Sequence, residues 1–348
     1  MTDNRNTILA VILSGLVLIG WQYLFNIPQM EKQRAQQAQL EQAKQAPPPG
    51  SPPGAPATPQ AGAPPAPAAP GAVQPAAAPV VVNRDVAIQA APRVKIETPR
   101  VSGSISLKGA RIDDLALVQY RTTVDPKSPA IVLFSPSGSP TPYYAEFGWV
   151  AAAGSTVRLP DRDTLWQQEN SGSLAPNSPV TLKYDNGDGL TFRRTIAIDE
   201  RYLFTVKDDV TNVSSAPVTL YPFSLISRHG TPKVEGFYIL HEGLIGYLGD
   251  QGLQEYSYSA IDEAKVKAFK VTNGWLGITD KYWASALLPD NTAQLQARFS
   301  SNLVAGIRTY QTDYLQDPQT IAIGGTGSSN ARLFAGAKEA GVVGINFP

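Results

Sequence analysis

Side chains able to move a proton are scarce in this sequence. His229 and His241 are its two imidazoles, in the segments Arg228-His229-Gly230 and His241-Glu242-Gly243. Two imidazoles and the Glu242 carboxylate can shuttle a proton on a sugar hydroxyl when they converge in a cleft. The plainer reading makes both histidines surface or turn residues beside glycines. Tyr143, Tyr144 and Trp149, or Tyr256 with Tyr258, have ring faces suited to a groove for sugar or peptide, and suited equally to cross-strand packing. Asp113-Asp114 reads as a solvated strand end, and Asp125-Pro126 and Asp290-Asn291 as turns, so none is expected to form a catalytic acid pair. There is no cysteine, which removes thiolate nucleophiles, disulfides and Cys-ligated zinc together. A phosphate-binding loop, a dinucleotide fingerprint, an H-E-x-x-H helix and a nucleophile elbow are all missing, so neither a catalytic residue nor a bound metal or cofactor is expected.

Charge excludes another class. Lysine plus arginine and aspartate plus glutamate are both 29, and the globular part carries no basic stripe, so nucleic acid is not an expected partner.

The elements that must position these residues begin with a membrane anchor. Residues 8–27 are apolar and uncharged, and at about 1.5 Å rise per residue they span roughly the 30 Å of a bilayer core. Trp21, Tyr23 and Phe25 gather at one end of the run, where amphipathic rings prefer the headgroup level. The stretch exceeds a signal-peptide core and no small-residue cleavage site follows closely, so an uncleaved anchor is expected. Residues 1–7 then form a cytoplasmic tail. Arg5 precedes the anchor while Lys32, Arg34 and Lys44 follow it; this charge count does not favour export, but large downstream domains cross largely regardless of it. Residues 28–46 are rich in helix formers without an apolar stripe and read as a helical extension. Residues 47–80 are a disordered Pro/Ala-rich linker: thirteen of the thirty prolines fall between Pro47 and Pro79, a composition that favours extended polyproline II and reaches up to roughly 100 Å.

From Val81 to Pro348 the pattern is β. Val180, Leu182 and Tyr184 alternate up to the turn Asp185-Asn186-Gly187-Asp188-Gly189. Leu190, Phe192, Ile196 and Ile198 alternate beyond it, with Arg194 as the single break in that face. Tyr202, Phe204 and Val206 continue the period before a polar stretch, Asp208 to Ser215, and Val218 with Leu220 open the next strand. Ile105 with Leu107, Ile131 to Phe134, Gln294 to Phe299 and Ile321 to Ile323 are shorter candidates. Many short strands without a convincing amphipathic helix predict an all-β, antiparallel sandwich.

The run Gly274-Trp275-Leu276-Gly277-Ile278-Thr279-Asp280-Lys281-Tyr282-Trp283, continuing to Pro289, resembles the signature of the YidC membrane protein insertases. Asn4-Arg5-Asn6 before the apolar anchor, Gly109 to Ile112 and Arg332 to Glu339 resemble the same family in the same order. The resemblance implies that residues 81–348 are the large periplasmic domain, a twisted β-sandwich of galactose-mutarotase type. It implies an inner-membrane protein with a cytoplasmic N-terminus that assists insertion, folding and assembly of integral membrane proteins. The implied partners are the Sec translocon with its accessory subunits, nascent membrane proteins and the lipid bilayer. The family's insertion core of later transmembrane helices has no counterpart in this sequence. Within the signature, Gly274 and Gly277 are expected to permit close backbone approach. Trp275, Tyr282 and Trp283 supply packed faces, and Asp280 and Lys281 pair or cap. Trp275→Ala is expected to cost about 3–5 kcal/mol as a buried aromatic. A membrane-tethered carbohydrate-binding or mutarotase-like module, and a purely structural envelope protein, remain as alternatives.

Overall fold

The computed structural model describes residues 81–233, 240–290 and 294–339. The anchor, helical extension and Pro/Ala linker expected over residues 8–80 lie outside the described residues, as does the cytoplasmic tail. Among the described residues, no helix is long and apolar enough to cross a membrane.

The chain opens with a short helix, α1 (Arg84–Gln89), whose Asn83 cap accepts from the Asp85 N–H at 3.0 Å. Five strands follow: β1 (Arg93–Glu97), β2 (Val101–Ser106), β3 (Arg111–Arg121), β4 (Ala130–Phe134) and β5 (Tyr143–Ala151). Next come β6 (Gln167–Gln168), β7 (Val180–Asp185), β8 (Leu190–Ile198), β9 (Leu203–Asn212) and β10 (Val218–His229). After β11 (Gly243–Tyr247) and β12 (Leu253–Tyr256), the helix α2 (Tyr258–Ala264) starts at Ser257, which caps Ala260 N–H. The chain continues through β13 (Val266–Val271), β14 (Trp275–Thr279), β15 (Trp283–Pro289), β16 (Leu295–Val304), β17 (Ile307–Gln316), β18 (Gln319–Ile321) and β19 (Thr326–Ala337). The two short helices depart from the uninterrupted β pattern expected after Val81. They have side-chain caps at their first turns, a signal that hydrophobic periodicity does not register.

The strands pair antiparallel throughout into two sheets. The first runs β1-β2-β3-β5-β10-β17-β16-β13, with β4 beside β3 and β18 beside β10; the second runs β12-β11-β14-β15-β19-β9-β8-β7-β6. Their facing sides share one hydrophobic core that takes Ile112, Ile226 and Phe299 from the first sheet and Phe192, Leu276 and Phe334 from the second. A smaller cluster, Tyr144, Tyr221, Phe223, Leu225 and Leu315, is separate from that core, built from alternate residues of β5, β10 and β17. Tyr143 and Trp149 pack in the main core, so the aromatics of this segment divide between two packing roles by strand alternation.

The hairpin read from the alternation is β7–β8, with Asp185 opposite Thr191. Asn186 closes its turn by accepting from the N–H groups of Asp188 and Leu190, and Gly189 sits at φ 90°, where a Cβ would meet the Ser214 backbone. Arg194, the break in the apolar face, is buried and lies opposite Asp208 on β9. Its guanidinium holds both Asp208 oxygens at 2.7 Å and donates across to the Ala110 and Phe147 carbonyls of the first sheet.

Two expectations are corrected here. The strand β9 does not end at the polar stretch: it continues through Asn212, and Asp208 and Asn212 point inward. Asn212 is satisfied there by donating to the carbonyls of Ala216 and Ile321. Nor do Asp113 and Asp114 end a strand in solvent. Both are buried within β3, because Arg93 of β1 and Arg84 of α1 bring guanidinium groups to them. The Asp125 turn is as expected, with the Lys127 N–H on the Asp125 carboxylate and the Ser128 N–H on its carbonyl.

Candidate docking groove and the signature turn

The signature residues form β14, a tight turn and the start of β15. Leu276 and Ile278 point into the core and are fully buried, whereas Trp275 is half-buried at its edge. That position lowers the expected cost of Trp275→Ala below the range for a fully buried ring. Gly277 lies where a Cβ would collide with the carbonyl of Ser285 on β15. The glycine therefore permits the close β14–β15 approach that the turn requires.

Asp280 opens the turn, its N–H donating to the Trp283 carbonyl at 2.9 Å. Its carboxylate pairs with Arg228 of β10 at 2.6 Å. The Arg228 side chain reaches from the first sheet toward the second, donates also to the Tyr258 hydroxyl at 3.0 Å, and lies 4.8 Å from the centre of the Tyr143 ring. A second cross-sheet bond, 2.6 Å between the Tyr143 and Ser285 hydroxyls, lies in the same region. Asp280 thus ties the turn of the second sheet to the first.

Beyond Asp280 the chain turns toward solvent. The Lys281 N–H donates to Glu242 Oε1 at 3.1 Å, and its ammonium lies 4.9 Å from the centre of the Tyr282 ring. Tyr282 is 55 % exposed, and Trp283 meets Tyr120 edge to face at 5.7 Å. With Leu240 and Lys338 these residues line an open groove of about 650 Å³. Lys338 reaches the Thr279 hydroxyl at 3.1 Å. Burial lowers the pKa of its ammonium, opposed by the charges of Asp280 and Glu242.

Next to the groove, Glu339 accepts from Arg100 at 2.6 Å, Tyr202 at 2.9 Å and Tyr120 at 3.0 Å. Burial works against its charge, but these donors outweigh it and hold the carboxyl below the usual carboxylate range. Tyr202 reaches this carboxylate from a left-handed backbone conformation, φ 72°, a strained state for a bulky residue. Its ring fits only because position 336 is glycine, where a Cβ would overlap it. A strained tyrosine, a glycine and an arginine thus fix the last described residue of the chain.

The histidine candidates have separate surroundings. His229 stacks near Tyr144, with Nε2 3.5 Å from the tyrosine hydroxyl and ring centres 5.8 Å apart. Burial, reinforced by the Arg111 charge, pushes its pKa down to about 4. His241 Nε2 lies 2.9 Å from the Leu244 carbonyl, and Glu242 accepts from the Lys281 main chain. None of the three hydrogen-bonds to another. With His229 neutral and the other two held by main-chain groups, the contacts assemble no proton relay among them. Among the described residues no group of three acidic or imidazole side chains is arranged to hold a metal ion.

Sequence reasoning singled out Lys281, Tyr282 and Trp283 and missed Tyr120, Arg100 and Tyr202. Tyr120 is a single residue of β3 and Arg100 and Tyr202 lie just before β2 and β9, separated from Glu339 by 137 to 239 positions. The only local signal was Tyr202 in the tight reversal after Asp199, which itself caps the Arg201 and Leu203 N–H groups.

A family model described as the YidC periplasmic domain matches residues 93–345. A membrane protein insertase YidC from Bradyrhizobium diazoefficiens is 71% identical over all of this chain, and one from Nitrobacter hamburgensis is 72% identical, also over all of it. The chain covers 56% and 54% of these relatives, so it spans about half their length. Among solved structures, the Synechocystis protein Slr1438 aligns over 71% of this chain and 96% of its own, with TM-score 0.46 and 9% identity. A galactose mutarotase-like protein from Lactobacillus casei aligns over 70% of this chain and 100% of its own, with TM-score 0.45 and 11% identity. On the strength of the family model and the identity to its relatives along all of this chain, the chain belongs to the YidC membrane protein insertase family, whose periplasmic domain is matched by residues 93–345.

Proposed function

We propose that this chain is the anchor and periplasmic portion of a membrane protein insertase and chaperone. In this reading it assists integral inner-membrane proteins to insert, fold and assemble, with and without the Sec translocon. Residues 8–27 cross the inner membrane with the N-terminus cytoplasmic, and the Pro/Ala linker lets the β domain search the membrane surface at raised effective concentration. The domain acts by docking and not by catalysis. The observation that carries the reading is the 71% identity to an insertase along the entire chain.

The site geometry supports the same view. The residues of the signature build a turn, tied across both sheets through Asp280 and Arg228, that presents the exposed Tyr282 ring beside the partly buried Lys281 and Lys338. Its glycines and fully buried leucine and isoleucine serve packing, which accounts for a motif without chemistry. The partners proposed for the domain are translocon subunits, nascent membrane proteins and lipid.

The test is site-specific photocrosslinking in native membranes, with probes at Tyr282, at Leu240 and in the anchor run. Capture of nascent membrane proteins or translocon subunits from these positions is the expected outcome. Probes that capture neither class, together with saturable binding of free sugars, would overturn the proposal.

A further inference from the structure

The first sheet carries an aromatic floor on its outer face. Tyr144, Tyr221, Phe223, Leu225 and Leu315 stand on the side of β5, β10 and β17 that faces away from the second sheet. Each is at most 8 % exposed, yet the partly buried apolar residues packed against them among those described are Val150 and Ala152, from β5 and its exit. An outer apolar face this closed to water calls for an apolar cover. The floor is also flat. Position 148 of β5 is a glycine, where a Cβ would meet the Phe223 ring at 2.9 Å, so the ring lies down across the strand in the space a side chain would take. On the same face the Tyr221 and Ser227 hydroxyls make no hydrogen bond among the described residues and can donate. Ring faces with donors beside them are the chemistry that takes a polyproline II segment, whose prolines stack on aromatics and whose carbonyls have no internal partner.

The chain itself holds such a segment. Residues 64–79 contain Pro64, Pro65, Pro67, Pro70, Pro75 and Pro79, with no charge among them. The residues that follow enter the domain beside the floor. The Val82 N–H donates at 2.9 Å to the Gly138 carbonyl, in the loop that leads into β5, and Arg84 pairs with Asp114 of β3. From Tyr144 to Val150, the residue opposite Tyr221, the floor extends roughly 20 Å along β5. Polyproline II covers that length in about seven residues.

We propose that residues 64–79 lie along this floor, with prolines on the Tyr221 and Phe223 rings and carbonyls toward the Tyr221 and Ser227 hydroxyls. The spacer then runs only from Pro47 to Ala63, and its reach falls from roughly 100 Å to about 50 Å. The β domain is thereby held closer to the start of its tether, whether or not it serves an insertase.

The experiment uses the full chain in detergent micelles at low concentration, with the photoreactive residue p-benzoylphenylalanine in place of Ala68 or of Ala72. Crosslinked peptides are mapped by mass spectrometry. Crosslinks within one molecule are expected on the peptides carrying Tyr144 and Tyr221 to Leu225. Replacing Pro64, Pro65, Pro67, Pro70 and Pro75 by serine leaves every residue of the β domain in place and is expected to weaken these crosslinks by roughly tenfold, because the segment loses its pre-set extended shape. Cooperative unfolding of that variant checks that the domain is still folded. Crosslinks scattered over the domain, absent, or equally strong in the serine variant overturn the proposal, since proximity of a tether alone produces them. Crosslinks between molecules that rise with concentration overturn it in favour of a second copy. A floor labelled by an added photoreactive peptide from a membrane protein, and not by the chain's own segment, overturns it in favour of a nascent chain.

Discussion

Removing either member of the buried Arg194–Asp208 pair should destabilise the domain far more than replacing both. Arg194 is 2 % exposed, holds Asp208 with two bonds of 2.7 Å, and lies between the rings of Trp166 and Phe147 at 5.2 and 5.8 Å. Arg194→Met leaves the Asp208 carboxylate buried without its partner, and Asp208→Leu does the same to the guanidinium, a change that costs about 3–5 kcal/mol in comparable pairs. The arginine also donates to the Ala110 and Phe147 carbonyls at 3.0 and 2.6 Å. Orphaning these acceptors adds about 1–3 kcal/mol to any variant that lacks Arg194. The double variant Arg194→Met, Asp208→Leu removes both charges and keeps only that second penalty, so the two single costs should exceed the double by more than about 2 kcal/mol. Thermal unfolding of the full chain in detergent, followed by tryptophan fluorescence, should place each single variant roughly 10 °C below the parent, at about 2–4 °C per kcal/mol for a domain of this size. Single variants within about 2 °C of the parent, or strictly additive costs, would refute the claim that the two residues act as one buried unit.

Other consequences of the structure are as direct. The His229 imidazole, pushed from an ordinary value near 6.5 to about 4, is neutral in the folded state, so below pH 6.5 the unfolded chain takes up the proton first. Stability should therefore fall as pH drops from about 6.5 to 4, by roughly 3 kcal/mol at most from this group, and urea titrations of His229→Gln should show that part of the slope removed. Gly277→Ala drives a methyl group into the Ser285 carbonyl on the neighbouring strand and should cost about 1–3 kcal/mol or more, measured by the same unfolding assay. Tyr202→Phe removes one donor to a partly exposed Glu339 and should cost about 1 kcal/mol in the same unfolding assay.

Much of the fold was legible because strand alternation is a local signal. The β7–β8 hairpin follows from Val180 to Ile198 and the Asn186 turn, and the short strands expected at 131–134 and 294–299 fall at β4 (Ala130–Phe134) and at the start of the longer β16 (Leu295–Val304). The reading of Arg194 went halfway. It stood out as a break in an apolar face, but its partner Asp208 lay in a stretch that looked polar enough to be a loop, and pairing across strands cannot be read from one strand's composition. The same limit hid the partners of Asp113, Asp114 and Glu339, which are arginines and tyrosines distant along the chain. The short helices escaped notice because six or seven residues show less than two turns of periodicity.

At the candidate site, the signature marked the turn, but the partner that Asp280 finds in Arg228 lies 52 positions away along the chain and cannot be read from the signature itself. The Lys281 ammonium lies over the Tyr282 ring. The histidines held attention through scarcity alone; their surroundings are a tyrosine ring for one and a main-chain carbonyl for the other.

The central proposal is that the β domain serves an insertase by docking, without proton chemistry at His229, His241 and Glu242. Its most direct test is a chimera in which this chain replaces the matching half of the Bradyrhizobium relative, assayed for insertion of a model membrane protein into proteoliposomes. The account predicts that the triple substitution His229→Gln, His241→Gln, Glu242→Gln leaves insertion within about twofold of the parent chimera, a barrier change of less than about 0.5 kcal/mol. A folded triple variant that loses insertion by a hundredfold, the scale on which removal of a general acid or base acts, would contradict it.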